Sequence, residues 1–204
     1  MENPWLTIQH SDYENHMLEV GQAQALNKLT SYCLKKYKPE RFALLGCATG
    51  NGLEHIDPNF TQSVYAIDIN GDYLKKLKAT FQEEITGLEV LNIDVQHEQL
   101  DLEQIDLCFV GLVLEYVDAE KVCSKIIKTL REKGCLIIVI QKNDQTTFVS
   151  KTRYTSLESL SSISQLINEK ELESWMAFQE MELIKKEELK LTETKSFVVY
   201  EYHK

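Results

Sequence analysis

Three glycines stand close together in the segment LLGCATGNG (residues 44–52), at Gly46, Gly50 and Gly52. The segment follows a short apolar run and precedes a helix-like stretch, so it lies where a strand would turn into a helix. Glycines at such a junction let a ligand approach the backbone, and a helix N-terminus offers free N–H groups. The loop therefore predicts a ligand site, while structural turns use the same residues.

Two carboxylates follow the next two predicted strands. Asp68 lies near the end of VYAIDI, eighteen residues after Gly50, and Asp94 lies near the end of NIDV. A carboxylate at the end of the second strand of such a unit can accept both hydroxyl groups of a ribose. Because parallel strands end at the same edge of a sheet, the glycine loop and both acids together predict a nucleoside site.

The N-terminal segment PWLTIQHSDYENHMLEVGQ combines aromatic side chains with histidines. Tyr13 and His16 are three residues apart and would share one face of a helix. We take His16 as a candidate general base and Tyr13 as a second candidate catalytic residue. Glu115, which with Tyr116 follows the predicted fourth strand, is the third. Each also has a purely structural interpretation as a surface or core residue.

Metal and disulfide chemistry is not indicated. His55, His97 and His203 are scattered, and no pair of histidines has the spacing of metal ligands, so we expect no metal site. The five cysteines include no C-x-x-C pair, which favours reduced cysteines in the core of a cytoplasmic protein. These are Cys33, Cys47, Cys108, Cys123 and Cys135.

The elements that position these residues follow from the hydrophobic pattern. Short apolar runs alternate with amphipathic stretches, which predicts βαβ units and a parallel sheet. We predict strands over 41–46, 63–69, 88–95, from 105 onwards and 135–142, and helices over 22–37, 72–84, 119–134 and 169–180, with another helix beginning at NGLEHI. The last two strand-like runs, MELIKKEELKL and KSFVVYEYHK, are separated by a link too short for a crossover, so they should pair antiparallel.

The chain of 204 residues suits a single domain. We expect residues 1–38 to form an N-terminal helical lid and the Ser- and Thr-rich residues 143–168 to form an insertion near the active site. The formal net charge of −10 disfavours nucleic acid and anionic membrane surfaces as partners. No signal peptide or membrane-spanning run is apparent, so we expect a cytoplasmic monomer or homodimer with a small-molecule acceptor.

Over roughly residues 40–204 the chain resembles class I S-adenosylmethionine-dependent methyltransferases. The first four motifs of that family are similar, in order, to LLGCATGNG, VYAIDI, NIDV and IDLCFVGLVLEYV. The family's stretch that leads into the fifth strand resembles LREKGCLIIVIQ. The resemblance implies that S-adenosylmethionine is the cofactor and S-adenosylhomocysteine the product. It implies that the glycine loop, with Gly46, Cys47, Ala48, Gly50 and Asn51, lies under the methionine part of the cofactor. It also implies contacts by Asp68 and Ile69 at the ribose, by Asp94 and Val95 at the adenine, and by the backbone around Gly111 and Leu112.

The same resemblance implies a Rossmann-like α/β fold. Its sheet would have seven mostly parallel strands and a C-terminal antiparallel hairpin, with helices on both faces. Two positions depart from the family pattern. Leu44 stands where an acid linked to the methionine amine is usual, so backbone carbonyls at Gly46 and Leu112 would have to make that contact. Ala48 stands where a glycine is usual.

Two other functions remain open at this point. An NAD(P)- or nucleotide-binding oxidoreductase would also use a glycine loop and a ribose acid, but it lacks the closing hairpin and uses a G-x-G-x-x-G order that is absent here. A catalytically inactive cofactor-binding protein of the same fold would be consistent with Leu44 and Ala48. A methyltransferase acting on a small molecule fits more of the pattern than either.

Overall fold

The computed structural model describes residues 3–144 and 147–204, so residues 1, 2, 145 and 146 of the two predicted covering segments lie outside it. Seven strands form one sheet in the order β3-β2-β1-β4-β5-β7-β6. The strands are β1 (Arg41–Leu45), β2 (Ser63–Asp68), β3 (Leu88–Asn92), β4 (Ile105–Gly111), β5 (Leu130–Asn143), β6 (Glu182–Lys190) and β7 (Lys195–His203). The first five are parallel, and β7 runs antiparallel between β5 and β6. The predicted sheet is confirmed.

Helices cover both faces of this sheet. They are α1 (His10–Glu19), α2 (Gln22–Tyr37), α3 (Gly71–Phe81), α4 (Ala119–Thr129) and α5 (Glu169–Phe178). On one face α4 and α5 pack against alternate strand residues such as Ala43 and Leu45. On the other face α2 and α3 pack against the intervening residues such as Phe42 and Leu44. This alternation follows from the two-residue period of a strand.

No helix within the described ranges combines the length and apolar character that a bilayer crossing needs. All five cysteines are buried and free, as expected for cysteines that serve as small core residues.

The predicted helix at NGLEHI is only a three-residue 3-10 helix, Leu53–His55. Pro58 explains the short element, because proline has no N–H to donate and disfavours the helical conformation in the residue before it. The side chain of Asn51 turns instead to α2, where it donates to the carbonyl oxygen of Ala23 at 2.9 Å.

The predicted helix over 119–134 ends at Thr129, and β5 begins at Leu130. The sequence pattern predicted that Gly134 ends the helix, but Gly134 lies within β5. A Cβ atom there would stand 2.8 Å from the carbonyl oxygen of Ile105. The glycine therefore permits a close approach between β5 and β4 at an irregularity in their pairing.

A third apolar cluster lies beyond the carboxyl edge of the sheet. Ile8 from the N-terminal segment packs with Leu157 and Leu160, which belong to a 3-10 helix at Thr155–Ser162. Ala48 and Tyr73, which follow β1 and β2, complete the cluster. The N-terminal segment and residues 147–163 thus meet each other above the strand ends. We call these two segments the lid.

Candidate functional site

A cavity lies at the carboxyl edge of the sheet, centred where the strand order passes from β1 to β4. In open α/β sheets this reversal of strand order leaves a crevice where ligands bind. Residues that follow the strands form the floor of the cavity: Leu45, Gly46, Ala48, Asp68, Ile69, Ile93, Asp94, Val95, Gly111, Leu112, Val113 and Gln141. Lid residues form its roof: Trp5, Tyr13, His16, Met17, Gln22, Phe148, Val149, Ser150, Leu157 and Leu160.

Asp68 is anchored by backbone groups on both sides of the cavity floor. One carboxylate oxygen accepts the N–H of Ala48 at 2.9 Å, and the other accepts the N–H of Asn70 at 2.8 Å. Burial raises the pKa of this carboxyl group, and the backbone N–H groups partly oppose that shift. Each oxygen still has a lone pair for a hydroxyl group of a ligand.

Asn70 connects Asp68 to the lid. Its Oδ1 accepts the N–H groups of Asp72 and Tyr73 and so caps α3. Its Nδ2 donates to the carbonyl oxygen of Trp5 at 2.7 Å. One side chain therefore fixes the start of a helix and holds the N-terminal segment over the strand end.

Two cavity residues have left-handed backbone conformations although they are not glycines. Ala48 has φ of 46° and Leu112 has φ of 57°. Such a conformation costs an ordinary residue roughly 1–2 kcal/mol. Ala48 thus adopts a glycine-like conformation at the position where the related family has glycine, and its N–H still reaches Asp68. Strain of this kind is often found at ligand sites.

The glycine loop divides its residues between ligand and structure. Gly46 lines the cavity, whereas Gly50 faces α3, where a Cβ would stand 2.6 Å from the ring of Phe81. Cys47 is buried and, like Asn51, is not among the lining residues. Of the five loop residues expected at the cofactor, the structure therefore brings Gly46 and Ala48 to the cavity and turns the other three towards the protein.

Asp94 lies at the far end of the cavity, after β3, with Val95 beside it. Its carboxylate accepts the N–H of Gln96 at 3.0 Å and pairs with Nδ1 of His97 at 2.7 Å. Burial alone would raise the pKa of Asp94, but these hydrogen bonds outweigh it and leave the pKa lowered. His97 also lines the cavity.

A chain of aromatic rings runs across the roof of the cavity. Trp5 meets Tyr116 edge to face with ring centres 5.0 Å apart, and Tyr116 meets Phe148 in the same way at 5.8 Å. Trp5 also contacts Tyr13, whose ring lies 5.4 Å from that of Tyr73. The Tyr73 hydroxyl is buried and has no hydrogen-bond partner among the described residues. Its hydrogen-bonding capacity is therefore unused in that part of the chain.

Two glutamines define the opposite end of the cavity from Asp94. Nε2 of Gln22 donates to Oε1 of Gln141. Nε2 of Gln141 donates to Asn143 at 2.9 Å and to the carbonyl oxygen of Phe148 at 2.8 Å, and Lys195 donates to that same carbonyl at 2.6 Å. The backbone of Phe148 is thereby hydrogen-bonded to the end of β5 and to the start of β7. We call the part of the cavity formed by Trp5, His16, Gln22, Tyr116, Gln141 and Phe148 the acceptor end.

His16 is held between the two lid segments. Its Nδ1 lies 2.9 Å from the hydroxyl oxygen of Thr152, and nearby Ser156 donates to Asp12 at 2.6 Å. Burial lowers the pKa of His16, and the positive charge of Lys195 lowers it further. The imidazole is therefore neutral at pH 7 and is able to accept a proton.

Glu115 is fully buried behind the acceptor end and does not line the cavity. Its Oε1 accepts the backbone N–H of Gln141 at 2.7 Å, and its Oε2 has no partner among residues 3–144 and 147–204. Burial raises the pKa of this carboxyl group to about 7. Of the three candidate catalytic residues, the cavity thus brings together Tyr13 and His16.

Several lining residues were not foreseen as site residues. Tyr73 has the spacing of a residue on the buried face of α3, and the position of His97 in the sequence pairs it with no other histidine. Gln141 lies near the end of β5 and Phe148 in the segment after it, and the resemblance assigns neither of them a contact. The one sequence signal for Gln141 is its position as the first polar residue after the buried run of that strand, at the carboxyl edge.

Comparisons with known proteins agree with this geometry. Residues 44–138 match the family model described as "Methyltransferase domain". N-methyltransferase NodS from Bradyrhizobium japonicum WM9, solved with S-adenosyl-L-homocysteine, is 13% identical, with a TM-score of 0.66 over 89% of this chain and 86% of that one. The [4+2]-cyclase SpnF is 10% identical, with a TM-score of 0.69 over 89% and 81%.

A geranyl diphosphate methyltransferase solved with S-adenosylmethionine is 11% identical, with a TM-score of 0.66 over 87% of this chain and 84% of that one. No curated protein matches the chain in sequence. At these identities the solved structures establish a shared fold.

Replacing Asp68 by asparagine should weaken binding of S-adenosylhomocysteine by roughly 10- to 100-fold, because a charge-assisted hydrogen bond is worth about 1.5–3 kcal/mol. Calorimetric titration of the purified variant measures this. Asp72→Asn, which removes an exposed carboxylate on α3, is the matched control. Equal affinity of both variants and the unchanged protein would show that Asp68 does not bind the cofactor.

Gly50→Ala should lower the free energy of unfolding by roughly 2–4 kcal/mol, because the new methyl group meets Phe81 at a left-handed backbone position. Denaturant titration measures the loss. Gly21→Ala is the control, since Gly21 is also left-handed but has open space at its Cβ position, so only backbone strain remains. Equal losses in the two variants would contradict the packing role of Gly50.

Glu115→Gln should change how stability depends on pH. Because the folded protein raises the pKa of Glu115 from 4.5 to about 7, it favours the protonated form, and its stability falls as pH rises through this window. The variant lacks this loss, so its stability relative to the unchanged protein should rise by about 2–3 kcal/mol from pH 5 to pH 8.

Denaturation at both pH values measures this difference, with Glu120→Gln on the exposed start of α4 as the control for removal of a negative charge. A stability difference between Glu115→Gln and the unchanged protein that stays constant with pH would mean that Glu115 is ionised freely in the fold.

Proposed function

We propose that this chain, a class I S-adenosylmethionine-dependent methyltransferase by its fold and by the family model over residues 44–138, methylates a small organic molecule. The observation that carries the proposal is the covered cavity at the carboxyl edge. The end of the cavity that is lined by Asp68 and Asp94 suits a nucleoside, and the acceptor end lies beneath the lid. A methyl group between the two ends would be shielded from solvent water.

The residues present at the nucleoside end fit S-adenosylmethionine. Asp68 has lone pairs free for the ribose hydroxyl groups, and Asp94 with the backbone of Val95 would face the adenine. Leu44 is buried in the core, so the carbonyl groups of Gly46 and Leu112 are the proposed contacts for the methionine amine. When bound, the cofactor supplies a methyl group already activated by the positively charged sulfur.

The lid supports a small acceptor over a macromolecule. Its two segments are joined by the His16–Thr152 and Ser156–Asp12 contacts, so the acceptor end is enclosed by the chain itself. The net charge of −10 also disfavours nucleic acid. The solved structures support the same proposal, since one is described as acting on geranyl diphosphate. The oxidoreductase alternative gains no support from the comparisons.

The roles of the acceptor-side residues follow from their positions. His16 is the proposed general base, because it is neutral and lines the cavity while Thr152 holds its Nδ1. Tyr13 would separate the acceptor from Asp68. Glu115 is proposed as a positioning residue that acts through the backbone of Gln141. Alignment of the acceptor under the lid supplies the rest of the rate enhancement.

We place the enzyme in the cytoplasm as a monomer or homodimer. Five free, buried cysteines suit a reducing compartment.

Calorimetry with S-adenosylmethionine, S-adenosylhomocysteine and NAD, followed by incubation of methyl-labelled cofactor with a fractionated metabolite extract, tests the function. We expect binding of the first two ligands, none of NAD, and label transferred to a small molecule. Deletion of residues 1–18 should abolish transfer while cofactor affinity stays within a few-fold. Binding of NAD alone, or label found only in protein or nucleic acid, would overturn the proposal.

A further inference from the structure

We infer that the acceptor is an uncharged, flat aromatic molecule carrying a hydroxyl or amino group, held against the rings of the acceptor end. The inference rests on the proposed function and adds the chemical class of the substrate. Three independent properties of the acceptor end support it: its charge, its shape and its hydrogen-bonding groups.

The acceptor end offers no partner to an anion. Among the described lining residues there is neither lysine nor arginine, and the carboxylates Asp68 and Asp94 stand at the opposite end. Lys195 carries a positive charge close enough to influence His16, but it is buried outside the lining and donates to the carbonyl oxygen of Phe148. A phosphate or carboxylate bound here would lose its water without gaining a counter-ion from the protein, which is costly.

A permanent cation is equally unsuited to this place. The acceptor must approach the positively charged sulfur of the cofactor, and like charges repel in a site with little water. Glu115, the carboxyl group behind the acceptor end, is turned to the backbone of Gln141 and does not line the cavity. The ground state of the acceptor is therefore neutral.

The shape of the acceptor end fits a flat ring. The planes of Trp5 and Tyr116 are 87° apart, and those of Tyr116 and Phe148 are 88° apart. Rings set at right angles form adjoining walls, which offer a ligand ring both a face for stacking and an edge for T-shaped contact. Such aromatic pairs add roughly 0.5–1.5 kcal/mol beyond the area they bury.

The amide pair selects a hydrogen-bond donor. Both N–H groups of Gln141 are used, since they donate to Asn143 and Phe148, and its oxygen accepts from Gln22. Gln22 spends one N–H in this pair, and its own oxygen accepts no hydrogen bond in the part of the chain that is described, so that oxygen is left for the ligand. A carbonyl oxygen accepts an O–H or N–H group and rejects an anion.

His16 completes the reaction on such a group. Thr152 has two lone pairs, so its hydroxyl oxygen can accept both the N–H of Tyr154 and the Nδ1–H of His16, which leaves Nε2 free to act as a base. The acceptor oxygen or nitrogen bonds to the methyl carbon, the electron pair of the carbon–sulfur bond returns to sulfur, and the acceptor proton passes to Nε2. The products are the methylated acceptor, neutral thioether and protonated His16.

The geranyl diphosphate methyltransferase among the solved structures provides a contrast. A diphosphate needs cationic partners, and the acceptor end of this chain has none among its described lining residues. We therefore expect this chain and the geranyl diphosphate methyltransferase to act on different substrates although they share a fold.

A matched set of probes tests the inference on the chain saturated with S-adenosylhomocysteine: 2-naphthol, 2-naphthyl phosphate, 2-naphthoate, 2-methoxynaphthalene and geraniol. Calorimetry or tryptophan fluorescence measures each affinity. We expect 2-naphthol to bind at least tenfold more tightly than either anion, than the methyl ether and than geraniol. Tighter binding of an anion, tighter binding of geraniol, or no binding of any probe would overturn the inference.

Single-residue variants distinguish a specific loss of acceptor binding from a general loss of folded structure. Trp5→Ala should weaken 2-naphthol at least tenfold, and Gln22→Met should remove the preference for 2-naphthol over its methyl ether. Both should leave affinity for S-adenosylhomocysteine within threefold. Phe178→Ala, which removes an aromatic ring that is 83% exposed, is the control. Loss of S-adenosylhomocysteine binding by the unchanged chain would instead refute the proposed function.

Discussion

The buried carboxylate of Asp68 is the contact on which the rest of the site depends. By accepting one N–H from the loop after β1 and one from the turn after β2, it fixes two strand ends relative to each other. It also holds Ala48 in a left-handed conformation. The desolvation of this charge is partly offset by the two N–H groups, and Asn70 extends the same network to the lid. The structure of both loops and the proposed ribose contact therefore depend on one negative charge.

Charge is distributed unevenly along the cavity, and this division gives each end its chemistry. The carboxylates lie at the end of β2 and just after β3, while the end of the cavity near β4 and β5 is lined by aromatic rings, amides and the imidazole of His16 from the N-terminal segment. Strand order creates this separation, because β1 and β4 diverge at the centre and send their connections to opposite sides. The fold therefore joins a charged end and an uncharged end within one cavity.

The sequence predicted those features that depend on local pattern. Asp68 could be located because it ends an apolar strand. The helices and strands could be told apart because the spacing of hydrophobic residues differs between the two. Residues 130–134 were misassigned, since a glycine after a lysine-rich stretch is typical of a helix end. Tyr73 has the spacing of a core residue, and spacing does not show which part of a buried face borders a cavity. The pairing of Gln22 with Gln141 joins residues 119 positions apart and has no local signal.

The bonding of Asn70 also determines which residues can occupy that position. The side chain must donate to Trp5 and accept from two N–H groups of α3, while its backbone N–H serves Asp68. Aspartate would accept but could not donate, and it would place a second negative charge beside Asp68. Serine is too short to bridge the helix and the lid, and glutamine is too long to cap the helix. We therefore expect most substitutions at this position to lose either the cap of α3 or the contact with the lid.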